Sequence, residues 1–118
     1  MATYVDFQDG TSQRARVTFT NPKAQAISYG GRFYLANPAD LNTPVNTPIT
    51  KAFTVAAQGN LAVDYDIGIP LLTVQQAQFV ACLQVTVGGT PIVTFVGTEI
   101  VRVTFSPAVQ WGDIIWNP

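Results

Sequence analysis

Asp64 and Asp66 are the residues whose type and spacing come nearest to chemistry. Two carboxylates two positions apart on a strand emerge from one face, where they could ligate calcium or act as an acid/base pair. The intervening pattern argues otherwise: Val63, Tyr65 and Ile67 take the core side, which leaves both aspartates pointing to water. Asp6 and Asp9, near Arg14 and Arg16, suit an exposed cross-strand ion pair of little energetic weight. The chain has no histidine, so the usual base near neutral pH and the commonest metal ligand are both missing. Its three serines, Ser12, Ser28 and Ser106, lie in no Gly-x-Ser-x-Gly elbow, and no Gly-x-x-x-x-Gly-Lys loop is present to cradle a phosphate. The expectation is therefore a non-enzyme with no cofactor and no metal.

The elements that carry these residues are strands. Ala15, Val17 and Phe19 alternate with Arg16, Thr18 and Thr20 before Asn21-Pro22 ends the segment. Ile27 to Leu35 follows with Phe33 and Leu35 inward, and Gly30-Gly31 predicts a bulge or a close backbone approach. Three prolines between Ala36 and Thr50 point to a long loop or a weak edge strand. Ala52 to Val55 and Leu61 to Ile69 read as the next pair, with Leu61, Val63, Tyr65, Ile67 and Ile69 on one face. A short connection from Leu71 to Gln76 has room for one helical turn. The apolar run Gln78 to Val87 suits a central strand covered on both sides, and Gly88-Gly89 suits a tight hairpin. Ile92 to Val96 returns, Gly97 breaks or kinks the strand, and Glu99 to Phe105 continues with Val101, Val103 and Phe105 on one face. With Thr3 to Phe7 as an opening strand, the chain has about seven short strands. That predicts an all-β, immunoglobulin-like β-sandwich of antiparallel strands over residues 1–107, with a C-terminal tail over 108–118.

This order of segments includes Phe53-Thr54-Val55-Ala56-Ala57-Gln58-Gly59 between a variable stretch and a long strand. It resembles the immunoglobulin-like CARDB modules of bacterial cell-adhesion-related proteins, over roughly Ala15 to Phe105. Stand-alone versions look like products of tailed bacteriophages. The resemblance implies the sandwich fold and a role in binding or assembly.

Composition bounds the partners. Of 118 residues 47% are hydrophobic and only 11% charged, and six basic against seven acidic side chains give a net charge of −1. No basic cluster is able to neutralise several phosphates, so nucleic acid is not an expected partner. No stretch approaches 18 apolar residues, so no membrane span is expected, and the start MATYVDFQDG lacks the pattern of a secretory signal. A neutral surface weakens the repulsion between copies and favours self-association. Cys82, the single cysteine, sits in an apolar run and reads as a small buried hydrophobe.

The tail AVQWGDIIWNP, Ala108 to Pro118, holds both tryptophans of the chain. Trp111, Ile114, Ile115 and Trp116 carry too much apolar surface to stand in water, so they must cover either their own sandwich or a neighbouring subunit. They are the first candidate contact residues. The second candidate surface is the stretch from Asp40 to Thr47, with Asp40, Leu41, Asn42 and Val45. The function expected is a structural or assembly protein, such as a decoration or minor structural protein of a virion, made in the host cytoplasm. Its partners would be other protein subunits, as a homo-oligomer or on a capsid or tail. The alternative is an adhesion or carbohydrate-binding β-sandwich module excised from a secreted bacterial or archaeal protein, extracellular or at the cell surface, with a glycan as its ligand.

Overall fold

The computed structural model describes residues 3–105, and all their regular structure is β. The strands are β1 (Thr3–Gln8), β2 (Ser12–Thr20), β3 (Ile27–Asn37), β4 (Asp40–Pro44), β5 (Ile49–Val55), β6 (Asn60–Gly68), β7 (Gln76–Val87) and β8 (Thr90–Thr104). They build two sheets. The larger runs β1-β8-β7-β3, with β4 and β5 both on the far edge of β3, and the smaller contains β2 and β6.

Alternation explains how the sheets meet. In β2, Ala15, Val17 and Phe19 turn inward while Arg14, Arg16 and Thr18 stay exposed. In β6, Tyr65 and Ile67 are buried between exposed or half-exposed neighbours, and Ile69 continues the pattern just past the strand. These side chains share one core with Phe33 and Leu35 of β3, Phe79, Leu83 and Val85 of β7, and Val101 and Val103 of β8. The opposite face of β7 contributes Val80 and Cys82 to a smaller cluster with Tyr34 and Ala36, against which Leu41 packs. Strand β7 is thus central and apolar on both faces, as its composition predicts.

The structure corrects several expectations. Among the described residues eight strands are present where about seven were expected, and not all pair antiparallel: β1 lies parallel to β8, from Thr3 opposite Glu99 to Gln8 opposite Thr104. Periodicity fixes which face a side chain takes but not the direction of the neighbouring strand. Strands β5 and β6 do not pair with each other. Strand β5 joins β3 in the larger sheet and β6 joins β2 in the smaller, so their connection crosses between layers. That connection is held tight by the Gly59 N–H donating to the Ala56 carbonyl at 3.0 Å, with Gln58 at φ 55°. The 71–76 segment makes bends and no helical turn. Leu61 and Phe105, expected inside, lie at strand ends and are exposed.

Gly30 and Gly31 mark a close approach and not a bulge, since pairing on both sides of β3 runs through them in unbroken register. A Cβ at Gly30 would collide with the Thr86 hydroxyl, and one at Gly31 with the Tyr65 hydroxyl. The irregular points are in β8 instead, where Gly97, Thr98 and Glu99 stand opposite the single residue Ala81 and Ile92 is an extra residue between the Val85–Val93 and Thr86–Pro91 pairs.

Cys82 is a buried free thiol, and burial pushes its pKa up. The thiolate is the reactive form. A disulfide-exchange reagent at pH 8 should therefore leave Cys82 unmodified in the native protein and label it at once in denaturant; rapid native labelling would contradict this burial.

Candidate functional site

The two predicted surfaces fare differently. Trp111, Ile114, Ile115 and Trp116 lie outside the described residues. Asp40, Leu41, Asn42 and Val45 are described, but they do not form one patch. Leu41 packs on the outer cluster of the larger sheet, and its carbonyl accepts the Tyr34 hydroxyl at 2.7 Å. Val45 packs into the main core, with its N–H donating to the Leu35 carbonyl at 2.9 Å. Asp40 accepts from the Thr43 hydroxyl at 2.8 Å and so closes its own turn. Asn42 is exposed beside it, its N–H donating to Asp40. Three of the four thus serve the local fold of β4.

The paired carboxylates are a surface ladder. Asp66 accepts from Arg14 and Asp64 from Arg16, each at 2.8 Å across the β2–β6 pair. The arginine hydrogen bonds hold both carboxyls below the usual range. Asp6 is paired with Arg102 of β8, not with Arg14 or Arg16, because β1 lies beside β8. Its carboxyl is lowered by that same hydrogen bond. Asp9 is buried, and its carboxylate accepts the Leu72 N–H. Among the described residues no group of three or more His, Cys, Asp or Glu is placed to hold a metal ion. No helix among them is long and apolar enough to cross a membrane. The exposed ring of Tyr4 is capped by the Arg102 guanidinium, 4.6 Å from its centroid, so it presents no open platform.

These lowered carboxyls have a definite pH signature. A carboxyl whose folded pKa lies below its unfolded value contributes stability above the unfolded pKa, and that contribution disappears as pH falls through the folded one. Acidification below the ordinary aspartate value of 3.8 should therefore lower the melting temperature. The double variant Asp64→Asn, Asp66→Asn should show a shallower acid-side slope than the parent. Identical slopes would remove the ladder from the account.

The feature that sequence reasoning missed is the first half of β8. Residues 90–99 are all exposed, including Ile92 and Phe95 at 57% each and Val93 and Val96 at 41% each. Phe95 pairs with Leu83 and Val93 with Val85, so both stand on the inner face, beside residues that belong to the core. Nothing among the described residues covers them. An open groove of about 350 Å³ lies here, between Val17 and Phe19 of β2 and Phe95, Val96 and Gly97 of β8. A second, of about 370 Å³, continues it towards Val5 and Val101 and shares Phe33, Ala81 and Gly97. The signal was present in the sequence: apolar residues at both parities of a strand require cover on both faces. What was missing was that the covering sheet has only two strands.

A scan of protein-family models and a search of curated proteins both find no match to this chain.

Proposed function

We propose that this chain is a non-enzymatic structural protein that works by assembling with other protein subunits, first of all with copies of itself. The observation that carries the reading is the uncovered apolar half of β8, with four large side chains between 41% and 57% exposed beside an unpaired strand edge. A run of exposed large apolar side chains of this kind marks a contact site. The low charge of the chain supports the same reading, because bringing two such surfaces together strips water from few ions. On this reading the setting is a virion, with the protein as a decoration or minor structural component at fixed copy number.

The fold belongs to the proposal in its finer form. A two-stranded β2-β6 layer facing the larger sheet supports reading the two sheets as an immunoglobulin-like sandwich, with the parallel β1–β8 pair as a variation on it. Sedimentation of the full chain tests the functional reading. Defined multiples of 12.7 kDa should appear at about 100 µM, a concentration at which even weak contacts are populated. A strictly monomeric species there would overturn it.

A further inference from the structure

We propose that the groove beside β2 receives residues 108–118 of a neighbouring copy as an added strand. This rests on the assembly reading above and names its contact. The acceptor is defined by what is missing. Among the described residues β2 pairs only with β6, so its other edge offers a row of unpaired backbone N–H and C=O groups. The outer edge of β6 is closed off: the Asn46 amide donates to the Gly68 carbonyl at 3.0 Å, and Lys51 reaches the Asp64 carbonyl. The β2 edge has an apolar floor next to it, made by Phe33, Phe95 and Val101. A strand laid there would gain ladder bonds on one side and bury its alternate side chains on that floor.

The donor is in the same sequence. Val109, Trp111, Ile114, Ile115 and Trp116 fall within eleven residues that contain a single charge, Asp113. Strand β2 is nine residues long, so the segment is of matching length. Large apolar side chains that must leave water and a groove that needs filling are complementary in chemistry.

Topology selects the neighbour's segment over the chain's own. The end of β8 is fixed on both sides: the Asp9 N–H donates to the Thr104 carbonyl at 3.1 Å, and the Phe105 N–H donates to the Gln75 carbonyl at 2.8 Å. The connection from β1 to β2 passes between the sheets right beside it, with the Gly10 N–H on the Ile69 carbonyl at 3.0 Å. The β1–β2 connection therefore stands between the end of β8 and the β2 edge of the same molecule. Connections at one end of a pair of sheets do not cross. A segment from a second copy meets no such obstacle, and a head-to-tail contact of this kind propagates or closes into a ring.

Trp111 and Trp116 are the only tryptophans, so tryptophan emission, excited selectively over the four tyrosines, reports this segment alone. On dilution, mass and emission should change together, the tryptophans moving from a buried to a solvent-exposed spectrum as oligomers separate. Phe95→Ser and Val96→Ser remove exposed side chains that line the groove, and each should raise the dissociation midpoint about tenfold in concentration. Leu71→Ser, 81% exposed and outside the groove, should leave it unchanged. An oligomer with solvent-exposed tryptophans, or one indifferent to both groove variants, overturns this inference while the assembly reading stands. A monomer at every concentration overturns both, and buried tryptophans in that monomer would assign the segment to its own chain.

Discussion

Tyr65→Ala should lower the unfolding free energy by about 4 kcal/mol, the range found for emptying a large aromatic site in a packed core. Tyr65 is fully buried at the meeting of the two sheets. Its ring stacks on Phe33 with centroids 5.3 Å apart, and its hydroxyl donates to the Gly31 carbonyl at 2.9 Å. The hydroxyl occupies the space a Cβ at Gly31 would need, so neither neighbour can collapse into the gap without moving β3. Tyr65→Phe keeps the ring and loses only the hydrogen bond, which should cost about 1 kcal/mol. Against a total of roughly 5 to 15 kcal/mol for a domain of this kind, the alanine variant forfeits a large fraction. Urea unfolding followed by far-UV dichroism reads both values, with the slope unchanged if two-state behaviour holds. An alanine variant within about 1 kcal/mol of the parent would mean that the two sheets are not cemented at this point.

Tyr65 also shows what the sequence could reveal. Its inward face follows from the alternation Val63, Tyr65, Ile67, and the outward turn of Asp64 and Asp66 follows from the same count. The partner across the strand does not follow. Arg14 and Arg16 were near enough in sequence to suggest Asp6 and Asp9, yet they pair with aspartates about fifty residues away, because β2 lies against β6. The same gap separates the predicted β5–β6 pair from the observed crossing between layers. Local period carries the face of each residue; pairing and direction are decided by contacts distant along the chain.

The candidate site was legible in one half. That the segment from Ala108 to Pro118 is too apolar for water can be read from its residue types, and so can the apolar character of Ile92 to Val96. Exposure of the second stretch cannot, since it depends on β2 and β6 forming a layer too narrow to cover β8. The packing within the Asp40 to Thr47 stretch was not legible for a related reason. Leu41 and Val45 pack in different clusters, one on the outer face of the larger sheet and one in the main core, and proline content says nothing of that.

Asn21→Ala should cost about 3 kcal/mol, although the sequence marks this residue only as the end of a strand. Its side chain is fully buried and makes four hydrogen bonds. The amide nitrogen donates to the carbonyls of Gln25 at 2.8 Å, Val55 at 3.1 Å and Ala56 at 3.2 Å, and the oxygen accepts the Lys23 N–H at 2.9 Å. One side chain therefore ties the end of β2 to the end of β5 in the other sheet and to the turn that leads into β6. Alanine leaves the Val55 carbonyl buried without this donor, and an abandoned buried polar group costs about 1 to 3 kcal/mol by itself, before the loss of the other bonds. Asn21→Asp separates hydrogen bonding from size. At pH 7 a carboxylate would face three carbonyl oxygens with nothing to donate, so this variant should be at least as unstable as alanine. Its folded-state pKa would lie above the unfolded value, so the folded protein would bind the extra proton, and stability should rise as pH falls through that window. The parent lacks this group, and the lowered carboxyls of Asp6, Asp64 and Asp66, which both proteins share, act only below the ordinary aspartate value of 3.8. Thermal melts of the two proteins between pH 7 and pH 4 should therefore converge, and parallel curves would show that the Asn21 amide does not hold the sheets in register.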